Sequence, residues 1–415
     1  MKINIINVLK SLSKAQSIIS PKIGAHQQQV AYLAYRLADQ LKMTQDQKVA
    51  LLMAGLWHDI GALSLKEKEG VICEQLININ THAFRGAYLV AGFLPEKNIA
   101  GIIRYHHYAW EHGAAAEKNP EMPCESQILH LADRVCAYIL NQKFVLSQVP
   151  QVKEYVKKHA GDLFVEEYTE AFMALSEQEA IWLDLVSSDP TDRIDKTYFA
   201  STEVSIEDLV NLSWIFSHLI DFRSPFTSTH SASVAHVAEE LAKLMHFSST
   251  DCKLMLIAGY LHDLGKLTVD NSILEKNAAL DPDEFDIIRS HTYYTYYLLD
   301  DIAAFDEIKR WAAFHHERLN GKGYPFHIDE RELSLGARIM AVADVFSALQ
   351  EKRPYKDAMK KDEILSILSN MVVSGSLDES VVSTVANNFE RLSSVCTNAK
   401  EIAQKEYSEL YSIGV

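Results

Sequence analysis

The 415-residue sequence has few cysteines, prolines and glycines and no long run of apolar residues. Its five cysteines show neither C-x-x-C spacing nor the density of a disulfide scaffold, which predicts reduced thiols in a cytoplasmic protein. The N-terminus lacks the apolar core of a signal peptide, and no apolar stretch is long enough to cross a bilayer. We therefore expect a folded cytoplasmic protein that does not enter the membrane.

Positive charge is also scarce. The chain has 40 lysines and arginines against 56 aspartates and glutamates, a formal net charge of −16. Clustered basic side chains are what bind duplex nucleic acid and anionic lipid, so this balance argues against both partners. A small anionic ligand is still compatible with the sequence, provided that cations are concentrated locally.

Alternation of polar and apolar residues, the pattern of a half-buried strand, is scarce, whereas helical periodicity is widespread. The segments QQVAYLAYRLADQL and HVAEELAKLMHF place apolar residues three and four positions apart, as an amphipathic helix requires. The sequence therefore predicts an all-α protein.

An internal repeat organises the histidines and aspartates. In each half, one histidine precedes a His-Asp dipeptide by 32 positions, and a further histidine precedes a His-His pair by 24. Each series closes with an Ala-Asp dipeptide in a helical pattern. The first series, called here the N-terminal cluster, is His26, His58, Asp59, His82, His106, His107 and Asp133. The second, the C-terminal cluster, is His230, His262, Asp263, His291, His315, His316 and Asp344.

A duplication of this kind predicts two tandem domains. The segment SSDPTDRIDKTYFASTE between the two series is polar and contains a proline, which is the composition of a linker. We therefore predict one helical bundle over residues 1–186, a linker over 187–205 and a second helical bundle over 206–415.

The composition of the C-terminal cluster indicates a metal centre. Imidazole and carboxylate together suit first-row transition metals better than calcium, which prefers oxygen alone. Five histidines and two aspartates are too many ligands for one tetrahedral ion, but two ions would use them all, with Asp263 or a solvent oxygen as the bridge. Two ions about 4 Å apart are suited to in-line attack on a phosphodiester.

Cationic residues and a glycine-containing loop follow the cluster along the chain. Gly265 is predicted to end a helix and to let Lys266 turn back toward the metals, where Lys266 can bind a phosphate or assist the leaving group. The loop ERLNGKGYPF after His315-His316 is predicted to cover one face of the site. Arg353 and Lys356, three positions apart, can form a fork for phosphate. For each of these features the alternative is an ordinary solvated turn or helix end.

Together these motifs resemble the HD-GYP family of metal-dependent phosphohydrolases. The similarity extends from about His230 to Asn388 through HDLGK, HHERLNGKGYP and RPYK. It implies an all-α catalytic domain that hydrolyses 3′,5′-linked cyclic dinucleotides, cyclic di-GMP or 3′,3′-cyclic GMP-AMP, to the linear dinucleotide. The implied cofactors are two divalent transition-metal ions, iron or manganese, held by the C-terminal cluster.

The same resemblance implies roles for individual residues. Asp263 and Lys266 are the predicted catalytic residues, and we expect Asp263 and the metals together to position and deprotonate the attacking water. The residues implied to contact the substrate are Lys266, Tyr324, Arg353 and Lys356. One position departs from the family: members with three metals carry a glutamate one helical turn before the first histidine, where this chain has Phe226. Because a phenyl ring cannot bind a cation, we predict two metals.

The N-terminal repeat departs further from the family. Ala62 stands where the second repeat has Lys266, and neither the Gly-Tyr-Pro loop nor the RPYK motif has a counterpart. We therefore predict a degenerate HD-like domain that packs against the catalytic domain and stabilises or regulates it, and the sequence leaves open whether its cluster binds metal. The alternative is a second hydrolase with another substrate.

Two other functions remain alternatives for the whole chain. One is a cyclic-dinucleotide receptor without turnover, which the complete ligand set and Lys266 disfavour. The other is an HD-type hydrolase of other nucleotides, which the GKGYP and RPYK motifs disfavour. The choice between cyclic di-GMP and 3′,3′-cyclic GMP-AMP and the oligomeric state, including a homo-oligomer, are left open.

Overall fold

The computed structural model describes residues 21–62, 80–94, 97–139, 143–195, 204–221, 229–274, 276, 278–300, 302–351 and 359–413. Within these ranges the regular structure is helical, and the only β-type contact is an isolated bridge between Ala160 and Phe164. The prediction of an all-α protein is therefore confirmed. No helix in the described ranges is long and apolar enough to span a membrane.

The chain forms two compact units, one of Lys2–Glu203 with Leu410–Val415 and one of Val204–Glu409. The exact domain limits given above stay a prediction. In the described part of the N-terminal unit the α-helices are α1 Pro21–Gln40, α2 Gln45–Trp57, α3 Asn80–Val90, α4 Ile99–Arg104, α5 Ala114–Lys118, α6 Cys124–Tyr138, α7 Val149–Lys158, α8 Glu166–Leu175 and α9 Glu179–Leu185.

The described helices continue in the C-terminal unit. They are α10 Ile206–Asp221, α11 His230–Leu244, α12 Ser249–Leu261, α13 Asn271–Leu274, α14 Pro282–Arg289, α15 His291–Asp300, α16 Asp306–Ala313, α17 Leu335–Leu349, α18 Lys361–Val373 and α19 Glu379–Asn387. The last helix, α20 Phe389–Ser412, ends in the residues that group with the N-terminal unit. A short 3-10 helix, Leu264–Thr268, follows α12.

The two units have the same type of helix cap and the same close contact between helices at equivalent positions. Thr44 caps α2 by accepting the Gln47 amide N–H, and Ser248 caps α12 by accepting that of Asp251. Near the end of each capped helix a glycine allows close approach to the preceding helix. A Cβ on Gly259 would lie 2.4 Å from the Ala235 Cα, so α11 and α12 are in backbone contact just before the His-Asp dipeptide.

Candidate metal centre

Helix ends and one helix interior bring the C-terminal cluster together. His230 begins α11, His262 directly follows α12, and His291 begins α15. His315 and His316 come just after α16, while Asp344 lies inside α17. Helix ends carry polar side chains at the edge of an apolar core, so the cluster is buried, except for the partly exposed His316, without breaking a helix.

The ligand-type atoms fall into two groups. Those of His230, His262 and Asp344 lie within 4.8 Å of one another, as do those of His291, His315 and His316. In the first group, His230 Nε2 is 3.3 Å from Asp344 Oδ1. In the second, His291 Nε2 is 3.3 Å from His315 Nε2. Each group offers three nitrogen or oxygen atoms to one ion.

Asp263 lies between the two groups. Its Oδ2 is 3.1 Å from His262 Nε2 and 4.0 Å from His230 Nε2, whereas its Oδ1 is 3.3 Å from His291 Nε2. Each oxygen thus faces a different group, which is the geometry that a bridging carboxylate requires. Lys266 Nζ donates a hydrogen bond of 2.6 Å to Oδ2.

Backbone carbonyls orient three of the five imidazoles. The Nδ1 atoms of His262, His291 and His315 each lie 2.7 Å from the carbonyl oxygen three residues earlier in the chain. A carbonyl only accepts, so each Nδ1 carries the hydrogen and each Nε2 presents a lone pair to the cluster. This is how imidazoles are oriented in metal sites.

Glu351 orients His230 in place of a carbonyl. Its Oε1 is 2.8 Å from His230 Nδ1, although the two residues are 121 positions apart in the chain. A carboxylate behind a ligating imidazole fixes the ring and increases its basicity. Neither spacing nor motif in the sequence pointed to Glu351.

The protein atoms by themselves do not satisfy this cluster. His262 Nε2 is buried and makes no hydrogen bond to any described residue. His291 Nε2 and His315 Nε2 face each other at 3.3 Å, and their Nδ1 contacts leave a lone pair on both. Two such lone pairs repel unless a cation lies between them. The residues present therefore fit a divalent ion in each group.

Electrostatics keep Asp263, His291 and His316 in the protonation state that metals need. Burial alone would raise the pKa of Asp263, but His262 and Lys266 hold it well below its usual range. Burial lowers the pKa of His291 to about 4 and that of His316 to about 3. The carboxylate is therefore ionised, and these two imidazoles are neutral at physiological pH.

Gly265 has a different role from the one predicted. It does not end a helix in a left-handed conformation but lies within the 3-10 helix, where a Cβ would be 1.8 Å from the His291 carbonyl oxygen. Its amide N–H donates to Thr295 Oγ1 at 2.8 Å. The glycine thus lets the 3-10 helix pack directly on α15, which brings Lys266 to the cluster.

The Gly-Tyr-Pro loop is held beside the cluster by a buried carboxylate. Glu317 Oε1 accepts the amide N–H groups of Phe326 and His327 at 2.7 and 3.2 Å. The Tyr324 ring lies 4.9 Å from the His316 ring, and the Arg289 guanidinium lies 5.0 Å from the Tyr324 ring centroid. Sequence reasoning placed Tyr324 near the site but missed Glu317 and Arg289.

Three sequence predictions concern residues that lie outside the described ranges. They are the phosphate contacts of Arg353 and Lys356 and the effect of Phe226 on the number of metals.

The N-terminal cluster is assembled in the same way. Asp59 Oδ2 is 3.1 Å from His58 Nε2, and Asp59 Oδ1 is 3.3 Å from His82 Nε2. His58 and His106 also place Nδ1 at 2.8 and 2.6 Å from the carbonyl oxygen three residues earlier. Asp133 lies 3.0 Å from His26 Nε2. The repeat found in the sequence is thus a repeat of tertiary geometry.

Family models match both halves of the chain. Residues 215–381 match a model described as an HD domain, and residues 23–138 match another HD-domain model. The chain therefore belongs to the HD-domain proteins, with one such domain in each half.

Several individual proteins are similar in sequence to this chain. The 3'3'-cGAMP-specific phosphodiesterase 1 of Vibrio cholerae is 27% identical over 381 residues, which cover 88% of this chain and 87% of that protein. The 3'3'-cGAMP-specific phosphodiesterase 3 of the same organism is 29% identical over 70% of this chain and 63% of that protein. The cyclic di-GMP phosphodiesterase response regulator RpfG of Xanthomonas campestris is 36% identical over 36% of this chain and 40% of that protein.

A solved structure agrees with the fold. The structure of a cyclic GMP-AMP specific phosphodiesterase of V. cholerae, V-cGAP3, superimposes with a TM-score of 0.60 at 22% identity, covering 92% of this chain and 97% of that one. The predicted tandem HD architecture and the resemblance to the HD-GYP family are confirmed.

Proposed function

We propose that the C-terminal domain is a metal-dependent phosphodiesterase that hydrolyses a 3′,5′-linked cyclic dinucleotide to the linear dinucleotide. The observation that carries the proposal is Asp263, whose two oxygens face two separate ligand groups while Lys266 contacts one of them. The relatives described above are cyclic-dinucleotide phosphodiesterases by name, which supports this class of substrate.

The C-terminal cluster would hold two divalent ions, of iron or manganese. His230, His262 and Asp344 form one group, His291, His315 and His316 the other, and Asp263 is shared. Divalent ions in such a site supply Lewis acidity toward phosphate and acidify water. Asp263, with its pKa held low, would be the anion that orients the attacking water.

Lys266 and Tyr324 supply the substrate contacts that the metals do not. Lys266 Nζ, 2.6 Å from Asp263, can donate to a phosphate oxygen that approaches the same carboxylate. Asp263 raises the pKa of Lys266 against the effect of burial, so the ammonium stays charged. The Tyr324 ring beside His316 offers a surface for stacking. Arg353 and Lys356 are proposed to hold the phosphates.

For the base preference, 3′,3′-cyclic GMP-AMP is the first substrate to test. The relatives that match this chain over most of its length carry that specificity in their names, whereas the cyclic di-GMP enzyme RpfG matches about a third of it. Cyclic di-GMP is the second substrate to test.

The test is a product panel. The purified chain, loaded with manganese or ferrous iron, is incubated with both cyclic dinucleotides and with mononucleotides, and the products are separated. Linear dinucleotide from the wild type and none from Asp263→Asn is the expected result, with Asp59→Asn as the matched control that keeps activity. Tight binding without turnover would instead identify a receptor, and turnover of mononucleotides alone would identify another HD-type hydrolase.

A further inference from the structure

Arg318 lies two positions after the His315-His316 pair, at the beginning of the loop that leads to Tyr324. One nitrogen of its guanidinium, Nη1, is 3.4 Å from the carbonyl oxygens of His315 and of Glu317. A distance of 3.4 Å is long for a hydrogen bond between an N–H and a carbonyl, so both contacts are weak. The other two nitrogens, Nε and Nη2, make no hydrogen bond to any described residue. The described residues therefore leave most of the donors of this side chain unused.

Arg318 also differs in charge pairing from the other arginines of the C-terminal unit that the structure describes. Each of those five forms an ion pair with a carboxylate: Arg289 with Asp286, Arg310 with Asp306, Arg331 with Asp329, Arg338 with Asp378 and Arg391 with Glu240. No described carboxylate lies within 4.0 Å of the Arg318 guanidinium. An external anion could therefore bind this guanidinium without displacing a described carboxylate.

The Arg318 side chain lies in the electrostatic field of the C-terminal cluster. Burial lowers the pKa of Arg318, and the charges of Asp344, Tyr324 and Glu317 oppose that shift. Burial, and to a smaller extent the charge of Arg318, lowers the pKa of His316. The guanidinium stays protonated, because the pKa of arginine is far above neutrality. Arg318 is therefore a cation beside one ligand group of the proposed metal centre.

The glycine of the Gly-Tyr-Pro loop keeps Tyr324 close to Arg318. A Cβ on Gly323 would lie 2.4 Å from the Arg318 amide nitrogen and 2.4 Å from the Glu317 Cα, so the loop needs glycine to fold back onto this backbone. The Tyr324 amide N–H then donates to the His316 carbonyl oxygen at 3.3 Å. Arg318 and Tyr324 therefore both adjoin His316, whose ring lies 4.9 Å from that of Tyr324.

The N-terminal repeat has no equivalent of this cation. Aligning the His-His pairs of the two repeats puts Ala109 at the position of Arg318, just as Ala62 stands at the position of Lys266. The metal-ligand residue types are the same in both repeats. The C-terminal repeat, to which we assign catalysis, thus carries two cations beside its cluster that the N-terminal repeat replaces by alanine.

We propose that Arg318 is a substrate-binding residue whose guanidinium donates to a phosphate oxygen of the cyclic dinucleotide. This inference rests on the proposed function, because its ligand is the substrate of that same site. A cyclic dinucleotide carries two negatively charged phosphates, and an acidic protein needs cations close to the metals to bind it. Lys266 supplies one beside Asp263, and Arg318 supplies another beside His316. A guanidinium presents its donors as a planar fork that matches two phosphate oxygens.

Arg318→Met tests the proposal in two assays on the metal-loaded full chain. One measures kcat/KM for the cyclic dinucleotide, and the other measures the affinity for inorganic phosphate by calorimetry. Loss of a hydrogen bond to a charged group changes binding about 10–100-fold, so we expect losses of that size in both assays. Metal content, measured by mass spectrometry, is expected to equal that of the wild type. Arg331→Met removes an exposed arginine and is the matched control that should change neither quantity.

Arg318→Gln separates anion binding from support of the backbone. Its amide can still donate to the carbonyl oxygens of His315 and Glu317 but carries no charge, so we expect wild-type thermal unfolding together with weak phosphate binding. Arg318→Lys retains the charge without the fork and should recover part of the loss. Wild-type kcat/KM and phosphate affinity in Arg318→Gln, or a loss of activity that only matches a loss of metal, would overturn the proposal.

Failure of the proposed function would give a different result. If the wild type does not hydrolyse cyclic dinucleotides, the proposed function is wrong, whereas the phosphate affinities of the same variants still decide whether Arg318 binds an anion. If the wild type is active and Arg318→Met and Arg318→Gln are as active, the proposed function stands and the role of Arg318 is wrong.

Discussion

Substitution of Gly265 by alanine tests how closely the proposed catalytic centre depends on backbone packing. The added Cβ would lie 1.8 Å from the His291 carbonyl oxygen and 2.8 Å from the Thr295 amide nitrogen. Real Cβ atoms essentially never approach other heavy atoms closer than 3.0 Å, so the 3-10 helix and α15 must separate by at least about 1.2 Å. Asp263 and Lys266 lie on one side of this gap and His291 on the other.

The expected magnitude follows from this displacement. Forcing extra volume into a packed interior costs about 1–3 kcal/mol of stability, so the domain should still fold. A misplacement of about 1 Å in a catalytic centre can lower the rate by about 100-fold. We therefore expect Gly265→Ala to lose about two orders of magnitude in kcat/KM while thermal unfolding shifts only moderately.

Gly61→Ala is the control that this chain itself provides. Its Cβ would lie 2.1 Å from the His82 carbonyl oxygen, the equivalent clash in the N-terminal domain. We expect a comparable loss of stability without the loss of kcat/KM. Steady-state kinetics on the preferred cyclic dinucleotide and thermal unfolding would be measured for both variants. If Gly265→Ala keeps nearly wild-type kcat/KM, or if both variants lose activity equally, the argument from close approach is refuted.

The geometry of the C-terminal cluster leads to three other predictions. Lys266→Met should keep its metal but lose about 10²–10³-fold in kcat, measured by single-turnover kinetics, and unchanged kcat would remove Lys266 from the mechanism. Glu351→Gln weakens the hydrogen bond that orients the His230 imidazole, so it should lower metal affinity about 10–100-fold in a chelator titration. Unchanged affinity would contradict the proposed role of Glu351 in orienting His230. Burial lowers the pKa of His291 to about 4 and of His316 to about 3, so these imidazoles stay deprotonated well below the pKa of free histidine. Metal uptake by the group of His291, His315 and His316 in chelator-treated protein should therefore persist at pH 6 and fail toward pH 4, whereas loss from this group centred near pH 6.5 would contradict these shifts.

Much of the candidate site was predicted from the spacing of the histidines and aspartates along the sequence. Helical periodicity predicted an all-α fold, and the repeated order of His and Asp predicted two clusters of the same design. Spacing carries this information because the histidines of the C-terminal cluster begin or follow helices of defined length, as His262 follows α12. Ala62 in place of Lys266 was equally visible, since substitutions at aligned positions need no structure to detect.

The sequence alone identified the His262-Asp263 dipeptide and its copy at His58-Asp59 as parts of two clusters. Which side chains contact those clusters was determined only by the tertiary structure. Glu351 reaches His230 across 121 positions, and no local pattern predicts which carboxylate supports which imidazole. Arg134 adjoins Asp133 in the chain, yet only the fold shows that its guanidinium turns back onto that carboxylate. Residue types fix which chemistry is available, whereas the direction of each lone pair and charge depends on packing between helices that are distant in sequence.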